Sequence, residues 1–158
     1  MSFRIAHAAI DIAAFRESLR DPTCGALALF EGWVRNHNDG SAVDRLAYEV
    51  YEPLAIKEGL RILEEARERW GIAQAACIHR AGMLELTDSA VVVGVASAHR
   101  DEAFQAARYI IDEVKTRLPI WKKEFYSDGR VEWVNCQRCA SHAHAHVHAA
   151  PSDSPAAA

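Results

Sequence analysis

No apolar run in this chain approaches the roughly 20 residues a helix needs to cross a bilayer. The opening Met1-Ser2-Phe3-Arg4-Ile5-Ala6-His7 has no signal-peptide apolar core. A cytoplasmic chain with reduced cysteines is therefore expected. A basic excess is missing too: 18 Lys and Arg stand against 22 Asp and Glu, for a net charge of −4. That balance argues against a general partner for nucleic acid or an anionic membrane. A local cationic pocket in such an acidic chain suits a small anion better than a polymer. GxSxG, Walker A, the dinucleotide fingerprint and HExxH are all absent, and no paired catalytic carboxylates or internal repeat can be found. Cysteines number four. Cys24 and Cys77 lie in apolar stretches and read as small core residues.

What is present is enough apolar sequence, half of 158 residues, for one domain with a real core. Residues 3–8 read as a strand and 11–20 as a short helix opened by Asp11. Residues 24–34 are nearly continuous apolar sequence, which reads as a buried strand. A loop, Arg35-Asn36-His37-Asn38-Asp39-Gly40-Ser41, follows. Alternation over 44–50 suggests a partner strand, paired to the first as a hairpin. Pro53 and Gly71 bracket a helix with Ile56, Leu60, Leu63 and Trp70 at helical spacing. Residues 75–80 and 90–98 read as strands, the second rich in valine. Residues 101–118 form a second long helix with Phe104, Ala107, Ile111, Val114 and Leu118 on one stripe, stopped by Pro119. Residues 120–126 and 130–135 close as a hairpin. This order predicts an α+β domain, mainly antiparallel, with two long helices. After about residue 140 the Ala, His, Ser and Pro composition lacks the apolar mass to order itself, so a tail is expected.

Cationic residues gather at element ends. His99-Arg100 precedes a helix, where backbone N–H groups attract anions. Pairing of Arg100 with Asp101 or Glu102 is the structural alternative. Arg35 closes the apolar strand, where binding residues concentrate, although a solvated loop arginine reads the same way. Lys115 continues the apolar stripe of its helix, so its stem is expected to be buried and its ammonium activated. A pair with Asp112, or support of the helix C-terminus, would explain it equally. Lys122 and Lys123 should point to opposite sides of a strand. Cys136-Gln137-Arg138-Cys139, followed by His142, His144, His146 and His148, has the composition of a soft-metal site.

Five segments in order give these pieces a context: Gly32-Trp33-Val34-Arg35-Asn36, Leu46-Ala47-Tyr48-Glu49-Val50-Tyr51, His79-Arg80-Ala81-Gly82, His99-Arg100-Asp101-Glu102-Ala103-Phe104, and Lys115 through Glu124. Across residues 3–135 the chain resembles the large, catalytic subunits of molybdopterin synthase. The resemblance implies an α/β-hammerhead-like fold with a small β subdomain over residues 1–135, and residues 136–158 as an appended tail outside the family pattern. It implies conversion of cyclic pyranopterin monophosphate to molybdopterin, with two sulfurs inserted to make the dithiolene. The sulfur comes from the C-terminal Gly-Gly thiocarboxylate of a small ubiquitin-like partner subunit, threaded into the large subunit. Two large subunits form the central dimer of a heterotetramer. No cofactor and no metal in the site are implied. On this reading Lys115 is the central catalytic residue and Lys122 its assistant. Trp33, Val34, Arg35, His99 and Arg100 anchor phosphate and pterin, while Lys123 and Glu124 complete the site. Arg138 is the candidate for reaching a neighbouring subunit's pocket. Two other readings stay open: a non-catalytic dimeric scaffold for a Gly-Gly-tailed partner, and a metal protein working through the Cys/His tail.

Overall fold

The computed structural model describes residues 1–134. Its elements run β1 (Ser2–Ala6), α1 (Ile12–Glu17), β2 (Ala26–Trp33), β3 (His37–Asn38), β4 (Ser41–Val50), α2 (Glu52–Trp70), β5 (Gln74–Arg80), β6 (Gly82–Glu85), β7 (Ser89–Ser97), α3 (Arg100–Arg117), β8 (Ile120–Tyr126) and β9 (Val131–Val134). One sheet has the order β1-β5-β7-β2, with only β1 and β5 parallel. The second has the order β3-β4-β8-β9, with β6 also paired to β4. The expected α+β class and antiparallel bias are both present.

Apolar runs build the first sheet because both of its faces are covered. Cys77, Val93 and Val95 face Ile62 and Leu63 of α2 and Ile110 and Val114 of α3. Ala76, Ile78 and Val92 face Phe15 and Leu19 of α1 and the turn after it. The caps follow the sequence. The Asp11 carboxylate accepts from Ala14 N at 2.9 Å, and Gly71 ends α2 in the left-handed region at φ 61°. Leu118 ends α3 in an extended conformation just before Pro119. Gly59 lets β1 lie against α2, since a Cβ there would meet the Phe3 ring at 2.3 Å.

Several expectations fail. The 24–34 strand does not pair with 44–50. β2 takes β7 as its partner, and β4 takes β3, β6 and β8. The valine strand offers β2 a full antiparallel register, Ala26 opposite Ser97 through Trp33 opposite Ser89. The loop from 34 then carries the chain across to the second sheet. Nor is β2 buried: it is an edge strand, and Leu27, Leu29, Phe30 and Trp33 are exposed. Leu60 and Phe104 are also exposed, because Ala55, Gly59, Ile62, Leu63 and Ala66 form the buried stripe of α2, and Ala103, Ala106, Ala107, Ile110, Ile111 and Val114 that of α3. Cys77 is buried as expected, with burial pushing its thiol pKa up, whereas Cys24 is half-buried at the surface. The Cys/His-rich segment and Arg138 lie outside the described residues.

Candidate active site

The last turn of α3 and the first residues of β8 form a hook around Pro119. Pro119 cannot continue the helix, and its carbonyl accepts from Tyr51 N at 3.1 Å. Ile120 N then returns to the Leu118 carbonyl at 2.8 Å. β8 pairs with β4 so that Tyr48 lies opposite Lys122. The hook brings Lys115 and Lys122 to one recess of about 110 Å³, lined also by Gly32, Trp33, Tyr48 and His79 over an apolar floor of Val91, Val114 and Leu118. Three parts of the fold meet here: the ends of β2 and β5, the end of α3, and the inner face of the second sheet.

Lys115 is exposed on α3, so its stem is not buried as its place in the stripe suggested. Nor does Lys115 pair with Asp112, which Arg108 holds at 2.6 Å, although it does sit in the last turn of α3, where a cation supports the helix C-terminus. Lys122 is held by Glu124, its Nζ 2.6 Å from Oε1. The carboxylate is only 3% exposed and is otherwise fully engaged. Its Oε2 accepts from Asn38 Nδ2 at 3.0 Å and from the Tyr126 hydroxyl at 2.7 Å. Asn38 Oδ1 in turn accepts from Arg35 Nη2 at 3.1 Å. The short β3 strand, unexpected from sequence, is what swings Asn38 under the second sheet. Arg35 is thereby tied to Lys122 through Asn38 and Glu124. Burial pushes the Glu124 pKa up, but the bonds from Lys122 and Tyr126 outweigh it and leave the carboxyl below its ordinary range.

Strand alternation sorts the neighbouring lysines. Lys122, Glu124 and Tyr126 share the inner face, while Lys123 lies on the outer face over the Trp133 and Phe125 rings, 5.3 and 5.9 Å from their centroids. Lys123 therefore does not line the recess. Val34 does not line it either, being buried with Leu46, Leu84 and Ala90. Trp33 does, with its indole N–H donated to Glu31.

His99 and Arg100 fall elsewhere. They open α3, beside Asp101 and Phe104, in a separate surface hollow. Arg100 and Lys115 are fifteen residues apart on one helix, roughly 22 Å at the helical rise. Within one chain the expected single cationic pocket is thus two clusters at opposite ends of α3. Between them runs an apolar groove of about 410 Å³ lined by Leu29, Phe30, Phe104, Ala107, Ile111 and Lys115.

Two residues of the recess carried no expectation beyond membership of a motif: His79 and Tyr48. His79 is 7% exposed. Burial, with the Lys115 charge, brings its pKa down to about 4, against the opposing pull of a bond to the Arg80 carbonyl. The available signal was an imidazole placed directly after four apolar residues of β5. Among the described residues no group of three or more His, Cys, Asp or Glu could hold a metal.

Fold and site define an α+β protein with a recess lined by two lysines where its two sheets and α3 meet. The family model described as MoaE protein matches residues 5–117. The chain is 44% identical over 115 residues to the molybdopterin synthase catalytic subunit of Thermoplasma volcanium, covering 73% of this chain and 84% of that one. It is 40% identical over 118 residues to that of Bos taurus, covering 75% of this chain but 62% of the longer relative. The crystal structure of molybdopterin synthase from Staphylococcus aureus superposes with a TM-score of 0.78 at 36% identity, covering 82% of this chain and 94% of that one. A complex of subunits 1 and 2 of molybdopterin-converting factor from Helicobacter pylori, at 20% identity and TM-score 0.68 over 84% of this chain and 88% of that one, shares the fold. The chain belongs to the MoaE protein family.

Proposed function

We propose that this chain is the catalytic subunit of a molybdopterin synthase, a sulfurtransferase that converts cyclic pyranopterin monophosphate to molybdopterin. The observation that carries the reading is the joining of Lys115 and Lys122 in one recess, with Lys122 oriented by a buried carboxylate. An ammonium whose counterion is fixed behind it offers its remaining protons to an incoming anion or developing oxyanion. Lys115, unpaired among the ion pairs of the described residues, is the group free to polarise or attack the thiocarboxylate carbonyl. Arg35, tethered through Asn38, adds charge for the cyclic phosphate. A cytoplasmic setting goes with this chemistry: no helix among the described residues is long and apolar enough to cross a membrane. Residues 1–135 form the working unit, and 136–158 are an appendage.

The partner that supplies sulfur is a small ubiquitin-like subunit ending in a Gly-Gly thiocarboxylate, which is slender enough to thread a narrow recess. The chain's second partner is another copy of itself. The exposed edge strand β2 and the apolar groove beside α3 support this. Residues 107 and 108, at the middle of α3, line that groove. A two-fold axis there sets the two α3 helices antiparallel and brings one chain's His99 and Arg100 towards the other's Lys115. The separated clusters then become one phosphate and pterin site in the dimer.

Reconstitution tests the reading. The purified chain, a thiocarboxylated small subunit and the cyclic pterin phosphate should yield a product that gives the fluorescence of oxidised molybdopterin. Tight binding of the small subunit with no consumption of the cyclic phosphate would leave the scaffold reading in its place.

A further inference from the structure

His79 is buried, yet it lines the recess that holds both lysines. A buried imidazole needs a partner or a use for each ring nitrogen. Nδ1 stands 2.8 Å from the Arg80 carbonyl, and a carbonyl only accepts, so Nδ1 carries the proton. A neutral ring then has its lone pair on Nε2. The ring is fixed in place by the edge of Tyr48, whose centroid is 4.8 Å away at 90°, and Tyr48 lies opposite Lys122 on the adjoining strand. Tautomer, orientation and burial are therefore all set by the fold.

We propose that His79 is a positioning residue for Lys115: its Nε2 lone pair accepts a hydrogen bond from the Lys115 ammonium and holds that group at the recess. This rests on reading the recess as the site of sulfur transfer. A neutral acceptor suits the task. A carboxylate in the same place would cancel the lysine's charge, and an imidazolium would repel it. Lys115 is exposed and has four rotatable side-chain bonds, so without a tether it samples many positions. Near neutral pH the ring stays uncharged, as burial and the Lys115 charge require.

Two substitutions separate positioning from packing. His79→Asn keeps a donor near Nδ1 but removes the acceptor at Nε2, whereas His79→Gln places an amide oxygen near the Nε2 position. In the reconstituted complex, His79→Asn should lower kcat more than about tenfold with KM for the pterin unchanged, and His79→Gln should lose less than about threefold. In the full wild-type chain, long-range 1H–15N spectra near neutral pH should show the Nδ1-protonated tautomer, and Lys115→Ala should shift the Nε2 resonance. The inference is overturned if His79→Asn turns over as wild type does, or if Asn and Gln lose equally. An Nε2 resonance indifferent to Lys115→Ala overturns it as well. Failure of the wild-type chain itself to form product counts against the proposed function, and the spectra then still decide whether His79 contacts Lys115.

Discussion

At the scale of single residues, the site depends on which way each side chain points. Lys122 and Lys123 are neighbours in sequence, and strand alternation alone decides that one enters the recess while the other covers an aromatic pair on the outer face. Alternation was legible in the sequence, but which lysine faced inward was not, because that depends on the register of β8 against β4. Glu124 was expected, with Lys123, to complete the site, but its hold on Lys122 was not legible. Its importance comes from burial and from Asn38, a contact across 86 positions that no local pattern reveals. Glu124→Gln keeps the shape but leaves Lys122 without its counterion. It should lower turnover at least tenfold and destabilise the fold by about 1–3 kcal/mol near neutral pH, measured by kinetics and thermal melting. Because the folded-state pKa is depressed, this stabilisation is fully present above the ordinary carboxylate range and is lost as pH falls below that range through the lower folded-state value.

At the scale of elements, caps and periods were readable, whereas partners were not. Asp11, Pro53, Gly71 and Pro119 mark helix ends whose chemistry is local, and the helices begin and stop there. Strand pairing is a long-range choice. The strand next to β2 in sequence was the wrong partner: β2 pairs along its length with the valine strand β7, while β4 pairs with β3, β6 and β8 in the second sheet. The two long helices are joined by a charge cluster that spacing did not show. Arg117 of α3 reaches Glu58 and Glu65 of α2 as well as Glu113, and the Tyr109 hydroxyl donates to Glu65 at 2.6 Å. The bonds from Arg117 and Tyr109 hold the Glu65 pKa down to about 2. Between that value and the ordinary range near 4.5 the folded state binds fewer protons than the unfolded one, so stability rises with pH there. The contribution should be complete above about pH 5 and lost on acidification towards 2. Arg117→Ala should lower stability by about 2 kcal/mol at neutral pH and flatten the acid limb of the melting-temperature profile. An acid limb unchanged in that variant would remove the cluster from the account.

At the scale of the whole molecule, the sequence pointed to one cationic pocket and the single chain holds two clusters, at the two ends of α3. Composition and motif order singled out these residues but carried no information on which of them meet in one recess. The exposed apolar groove between the clusters is where a second copy would join them. Co-refolding Lys115→Ala chains with Arg100→Ala chains tests that arrangement. If each site takes its lysine from one chain and its arginine from the other, random pairing restores about a quarter of wild-type activity. No recovery would mean that both residues act within one chain.

The central claim is that chemistry occurs at the lysine recess, and Lys115→Ala addresses it most directly. Single-turnover formation of the dithiolene should be followed with the thiocarboxylated small subunit and the cyclic pterin phosphate, using wild-type and variant chains of matched melting temperature. The variant should still bind the small subunit and form no detectable product. Product formed at the wild-type rate would contradict the central claim.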